Sequence, residues 1–113
     1  MLRRVSVALA ATLIFAGAAL ADPIEGNWTT DSGETAAITG GGPFRITLKT
    51  GKHAGKRIGS MSKTAENKYA GDITDPANDK TYSGKATLSG NSLKMSGCVL
   101  GGLICRSQNW QRQ

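Results

Sequence analysis

The stretch GCVLGGLIC, residues 97–105, holds both cysteines of the chain around a Gly-Gly pair. If Gly101-Gly102 forms a two-residue hairpin turn, Cys98 lies directly opposite Cys105 on the neighbouring strand. Directly opposed strand residues have Cα atoms about 4.5–5.5 Å apart, a separation that a disulfide accepts. The alternative is a pair of free buried thiols. We expect the disulfide, and closing its loop stabilises the fold by about 2.5 kcal/mol.

Two further turns extend this register towards the N-terminus. Gly90-Asn91 is a second two-residue hairpin signal, and residues 75–80 suit a four-residue loop with Asn78 in the left-handed conformation. All three turns place the apolar side chains on one face, whereas a slip of one residue would scatter them. The sequence therefore predicts an antiparallel meander with the disulfide on its outer face. Its inward face carries Tyr69, Ile73, Tyr82, Leu88, Leu93, Met95, Gly97, Val99, Ile104, Arg106, Gln108 and Trp110.

The N-terminal half shows the same alternation in shorter segments. Strands are predicted over residues 26–30, 34–39, 44–48 and, more weakly, 57–62. Seven or eight short strands at such spacing indicate an all-β barrel or sandwich. The outward positions carry Lys85, Lys94, Ser96 and Asn109, which does not fit the apolar outer band of an outer-membrane barrel.

The first 21 residues have the features of a cleaved signal peptide. Two arginines precede an uncharged apolar run, and Ala19-Leu20-Ala21 is a small-x-small cleavage site. A membrane anchor is the alternative, but it would need a longer run and no cleavage signature. We therefore expect one domain over residues 22–113 in the periplasm or outside the cell, where a disulfide can form.

Composition narrows the classes of function. The net charge of +6 falls to about +4 without Arg3 and Arg4, and the remaining positive charge is too dispersed to indicate nucleic-acid binding. One histidine and two cysteines leave no metal site or cofactor site that the sequence can support. No nucleophile and base can be assembled either, so we do not expect an enzyme.

The C-terminal motifs resemble a bacterial exported family catalogued as a domain of unknown function, number 2147. They are Ile73-Thr74-Asp75-Pro76, Lys80-Thr81-Tyr82 and the closing Cys105-Arg106-x-Gln108-x-Trp110-x-Arg112. The family is similar to lipocalins, so the resemblance implies a small up-and-down (calycin-like) barrel and no established activity. The chain lacks a second cysteine pair that the family often shows and is short in its first half. That shortness argues against a roomy cavity.

The resemblance also implies a structural role for Trp28. In a lipocalin-like barrel the first-strand tryptophan sits at the closed end with an arginine packed over it. Arg112 and Arg106 are the two candidates for that arginine.

A second group of side chains is the candidate ligand site. Arg106 on the inward face needs either the carboxylate or phosphate of a ligand or an internal partner such as Asp72, Asp75 or a backbone carbonyl. The inward tyrosines and tryptophan can line a cavity or simply fill the core. The candidate ligand-binding residues are Tyr69, Tyr82, Arg106, Gln108 and Trp110.

The third group is a basic loop between the third and fourth strands, formed by Lys49, Lys52, His53, Lys56 and Arg57. It can meet lipid phosphates or an acidic partner, or it can be a solvated loop without one. Two function hypotheses follow: a binder of a small apolar or amphipathic molecule, and an envelope interaction module with a packed interior and this loop as its docking surface. The sequence predicts no oligomeric state.

Overall fold

The computed structural model describes residues 21–113, which form a closed antiparallel barrel of eight strands in up-and-down order. This confirms the all-β class and the barrel, with eight strands. The predicted signal peptide lies outside the described residues except for Ala21. Within the described residues, no helix is long and apolar enough to cross a membrane. The strands are β1 (Gly26–Thr29), β2 (Thr35–Thr39), β3 (Phe44–Leu48), β4 (Arg57–Ala65), β5 (Lys68–Asp75), β6 (Lys80–Ser89), β7 (Ser92–Val99) and β8 (Ile104–Arg112).

The register of β5 to β8 is the one that the turns predict. Ser89 pairs with Ser92 across the two-residue turn Gly90-Asn91, and Asp75 pairs with Lys80 across a four-residue loop. The left-handed residue of that loop is Asp79, with φ 59°, and not Asn78 as expected. Aspartate tolerates this conformation as well, so the loop length and the register are unchanged.

The connection between β7 and β8 differs from the prediction. It is not a two-residue turn: Val99 and Ile104 form the last pair, and Leu100–Gly102 make a short 3₁₀ turn with Leu103 beyond it. A four-residue connection preserves the predicted pairing because it opens the hairpin by one residue on each side. Cys98 and Cys105 are therefore still opposite each other and form the disulfide, with Cα atoms 4.1 Å apart.

The core follows the predicted alternation along the strands. Side chains one position apart lie on opposite faces, and one set is buried in a single cluster. Val99 and Ile104 were expected in this core but are exposed, because β7 and β8 extend past it. Cys105 is exposed, whereas Cys98 is buried without belonging to the core cluster. The cluster consists of Ile24, Trp28, Ala36, Ile38, Phe44, Ile46, Leu48, Ile58, Met61, Tyr69, Ala86, Leu88, Leu93, Met95 and Trp110.

The first and last strands, β1 and β8, pair along only a short part of their length, at one end of the barrel. β1 has four residues and β8 has nine, and the two pair only through Trp28 with Arg112 and Thr29 with Gln111. No other described strand pairs with the outer edge of residues 104–110. We call the end with the β1–β8 contact the closed end, and the end with the β7–β8 connection the open end.

A segment before β1 seals the closed end. Ile24 inserts into the core, and its carbonyl oxygen accepts a hydrogen bond from Nε1 of Trp28 at 3.0 Å. The guanidinium carbon of Arg112 lies 4.3 Å from the centre of the indole ring of Trp28. Arg112 also donates hydrogen bonds to the carbonyl oxygens of Pro23 and Glu25. The arginine expected over Trp28 is therefore Arg112 and not Arg106.

Asp22 attaches the same segment to β4 and β5. Its carboxylate accepts hydrogen bonds from the Tyr69 hydroxyl at 2.5 Å, the Lys63 ammonium at 3.2 Å and the backbone N–H of Ile24 at 3.0 Å. Burial works against the charged carboxylate, but these donors outweigh it and hold the pKa of Asp22 below its ordinary value. Burial, reinforced by the hydrogen bond to Asp22, raises the pKa of Tyr69, so its hydroxyl remains a donor.

Substituting Arg112→Ala tests the seal. The change removes the guanidinium–indole contact and two hydrogen bonds to carbonyl oxygens, so we expect the free energy of unfolding to fall by about 2–3 kcal/mol. Urea denaturation followed by tryptophan fluorescence measures it. Arg45→Ala is the matched control, because Arg45 is exposed on β3 and its loss should change stability by less than about 0.5 kcal/mol. Equal losses in the two variants would contradict the role of Arg112.

Asp22 should make the closed end sensitive to acid. Its pKa is lowered by folding, so the ionised carboxylate contributes stability above about pH 4, and the contribution is lost as the pH falls through the folded-state pKa. At pH 7 we expect Asp22→Asn to be less stable than the wild type by about 1 kcal/mol. The difference should shrink towards zero near pH 2. Urea titrations of both proteins across this range measure it, and a difference that stays constant with pH would refute the assignment.

Candidate functional site

The open end of the barrel contains a cavity of about 850 Å³. Its inner part is lined by the buried apolar side chains of Leu48, Ile58, Met95 and Trp110. The cavity is wide because β8 extends beyond β1, so the wall between them is missing near the mouth. The short first half was expected to disfavour a roomy cavity. The shortened barrel does close incompletely, because the short β1 leaves the cavity open at its side, but the cavity is still large.

Arg106 and Gln108 both line this cavity, as their register predicts. Both side chains are exposed, which contradicts the expectation that Arg106 is partly buried. Gln108 Oε1 accepts a hydrogen bond from Trp110 Nε1 at 2.9 Å. Within residues 21–113, Arg106 makes no ion pair and no side-chain hydrogen bond, and Asp75 on the facing wall does not reach it. Its guanidinium therefore remains available to a ligand.

Gly97, which pairs with Arg106, does not leave empty space in the cavity wall. A Cβ atom added there would lie 3.2 Å from Ile73 Cγ2 and 3.4 Å from Tyr82 Cβ. The space over Gly97 is thus filled by these two neighbours, which line the cavity themselves. The glycine allows the apolar wall to pack closely, and the ligand space lies beyond that wall.

The two tyrosines separate in the structure. Tyr82 is half-buried and lines the cavity. Tyr69 is buried at the closed end, where its ring lies edge-on to Phe44 with centroids 5.6 Å apart and its hydroxyl contacts Asp22. Tyr69 therefore does not belong to the ligand site. The register already places it beside the β4–β5 turn, at the end of the barrel away from Arg106.

The basic loop also lies at the open end, because it connects β3 to β4. Lys56 forms an ion pair with Asp79 of the β5–β6 loop. The Lys56 ammonium lowers the pKa of Asp79, mainly through its hydrogen bond to the carboxylate and also through its positive charge. Lys49 and Lys52 are exposed. None of the basic-loop side chains lines the cavity, so the loop borders the mouth without forming the site.

Sequence reasoning missed part of the cavity lining. Side chains of the β5–β6 loop and of the β1–β2 turn contribute a polar rim, including Thr30, Ser32 and Asn78. Asn78 belongs to a turn that fixes the register, and Thr30 and Ser32 lie between β1 and β2, but nothing in either pattern indicates that these residues face a cavity. Among residues 21–113, the arrangement is an apolar interior with the Arg106 guanidinium, the Asp75 carboxylate and several neutral polar groups towards the mouth.

The comparison with known proteins gives a family and no activity. The family model described as "Uncharacterized protein conserved in bacteria (DUF2147)" matches residues 45–112. No curated protein and no solved structure matches the chain significantly. The matched region runs from β3 through the end of β8 and covers most of the cavity wall together with both cysteines. Because the match spans more than half of its residues, the chain belongs to this uncharacterised bacterial family, and the resemblance of its C-terminal motifs is confirmed.

Proposed function

We propose that the protein binds a small amphipathic molecule, with the apolar part inside the barrel and an anionic head group at Arg106. The observation that carries this proposal is the open cavity of about 850 Å³ with an unpaired guanidinium on its wall. Ligand cavities in proteins commonly measure about 300–1,000 Å³ and combine apolar lining with a few polar groups. The alternative of a packed module at the basic loop has less support, because the interior at the open end is not packed.

The apolar part of the ligand would lie against the inner lining. Met95 and Trp110 offer a polarisable thioether and a large ring surface, and the hydrogen bond to Gln108 satisfies the indole N–H. With that donor satisfied, the inner lining presents mainly hydrocarbon. A hydrocarbon chain gains about 0.8 kcal/mol for each CH₂ group that leaves water, so a medium-length chain suffices for micromolar binding.

The head group would be a carboxylate or a phosphate. Arginine presents paired N–H donors in a planar fork that matches two oxygens of either group. Thr30 and Asn78 on the facing rim can add neutral hydrogen bonds. The exposed position of Arg106 keeps the head group in contact with water, which suits a molecule that is taken up and released again.

The proposal also includes that the protein is exported and that it binds its ligand without catalysing a reaction. The signal-peptide pattern and the disulfide are both compatible with a periplasmic or secreted protein. His53, the one histidine of the chain, lies in the β3–β4 loop and does not line the cavity. Binding without chemical change therefore fits the cavity better than catalysis does.

Titration with a fluorescent fatty acid tests the head-group role of Arg106. We expect saturable binding to the wild type, and Arg106→Ala should weaken it about 10–100-fold because a charge-assisted hydrogen bond is lost. Arg106→Lys should restore part of the affinity. Quenching of Trp110 emission provides a second signal from inside the cavity.

Two controls separate head-group recognition from a general change. Arg45→Ala removes an exposed arginine on another strand and should leave the affinity unchanged. A neutral alcohol of equal chain length should compete equally well for the wild type and for Arg106→Ala. No saturable binding would reject the proposal, and equal fatty-acid affinity of the wild type and Arg106→Ala would reject the role of Arg106.

A further inference from the structure

We propose that the open end of the barrel docks on an anionic lipid bilayer, with the β7–β8 connection inserted among the lipids and the basic loop over their phosphates. The inference deepens the proposed function, on which it rests for the meaning of the cavity, because it names the surface where the ligand is collected. We call residues 99–104 the hairpin tip.

The hairpin tip carries a concentrated apolar surface. Leu103 is 87% exposed, Leu100 68%, Ile104 53% and Val99 38%. Within residues 21–113, these four are the exposed large hydrophobic residues, and all belong to the hairpin tip. Single apolar side chains scattered on a surface need no explanation, but a contiguous group indicates a binding surface.

The tip is held in a conformation that displays its leucines. The Cys98–Cys105 disulfide ties its base, and the last strand pair follows directly. Leu100 has φ 54°, in the left-handed region that a leucine seldom adopts. A glycine would adopt the same conformation without strain. A strained leucine that points into water indicates that its side chain has a use outside the fold.

Positive charge lies around the same mouth. In an up-and-down barrel every second connection is at the same end, so the basic loop and the hairpin tip both border the cavity. One acidic group at this end, Asp79, is paired with Lys56, whereas Glu34 accepts a hydrogen bond from the neutral Thr50 hydroxyl and keeps its charge. Lys49 and Lys52 remain exposed.

The basic loop is attracted electrostatically to anionic lipids, although this attraction is moderate. Asp31, Glu34 and Asp75 lie at the same end and offset part of the positive charge. The leucines of the tip must therefore supply the larger part of the binding, and the charges select the membrane and orient the barrel. Such pairing of an apolar insertion with basic residues is the general requirement for stable attachment to a bilayer surface.

A bilayer suits this shape better than a protein partner. Stable protein interfaces bury about 800 Å² on each side and need a broad complementary surface. The hairpin tip ends in a narrow turn of two leucines and two glycines, which can enter the space between head groups. Docking in this way brings the mouth of the cavity, and the open side along β8, to the lipid surface. A lipid-derived ligand could then enter without crossing bulk water.

Vesicle flotation tests the proposal. The probes are vesicles of phosphatidylcholine alone and of phosphatidylcholine with 30% phosphatidylglycerol, at low and at high salt. We expect the wild-type protein to float with the anionic vesicles and less with the neutral ones, and we expect salt to weaken the binding. The double variant Leu100→Gly, Leu103→Ser should bind at least tenfold more weakly. Its thermal midpoint should not fall, because both leucines are exposed and the glycine removes an unfavourable φ.

A pair of charge variants tests the orientation. Lys52→Glu at the open end and Lys68→Glu at the closed end change the net charge equally. We expect Lys52→Glu to weaken binding to anionic vesicles several-fold more than Lys68→Glu. Equal effects would contradict docking through the open end. Failure of the wild type to bind, or unchanged binding of the double tip variant, would overturn the proposal, and a protein partner would then be the remaining occupant.

Vesicle flotation and the fatty-acid titration test the two proposals independently. Leu100 and Leu103 do not line the cavity, so the double tip variant should keep its affinity for the fluorescent fatty acid in solution. Tip-dependent flotation without fatty-acid binding would support docking and reject the cavity proposal. Fatty-acid binding that depends on Arg106 without flotation would do the reverse.

Discussion

The contact between β1 and β8 determines the form of the whole molecule. Only two residue pairs join these strands, and the Arg112 guanidinium over the Trp28 indole adds a side-chain contact there. Because the contact occupies one end, the barrel is sealed at the closed end and not at the open end. The segment with Ile24 completes the seal by filling the space that a longer first strand would otherwise have to close. The open end follows from the same shortage of residues in β1.

The two ends of the barrel therefore have different physical character. At the closed end each buried polar group has a partner, as the Tyr69 hydroxyl and the Asp22 carboxylate show. At the open end Arg106 is left without one, and four apolar side chains meet water at the hairpin tip. The side chains that seal the core lie where the strands close, and the groups available to a ligand or a surface lie where they diverge. This division is what connects the architecture to a binding role.

The sequence was sufficient for the register of β5 to β8, because Gly90-Asn91 and the Asp75-Pro76 turn fix which residues pair. It could not give the conformation of the hairpin tip, since two-residue and four-residue connections produce the same pairing of Cys98 with Cys105. The pairing therefore does not decide whether Leu100 and Leu103 belong to the strands or to the connection. Periodicity also could not choose between Arg106 and Arg112 over Trp28, because that choice depends on how β8 meets β1. The cavity depends on unequal strand lengths, a tertiary property that no single turn or strand pattern contains.

Closure between the first and eighth strands also has a consequence for how the chain folds. Arg112 and the Glu25 carbonyl that it binds are 87 residues apart in sequence, so this contact forms only after the intervening strands are available. Contacts of such separation slow folding, because the entropy of closing a long loop must be overcome first. The β5–β8 meander, built from hairpins with short connections, can assemble earlier. A chain in which β8 has not yet docked would therefore hold an unsealed sheet, and the closed end would be the last part to become protected from hydrogen exchange.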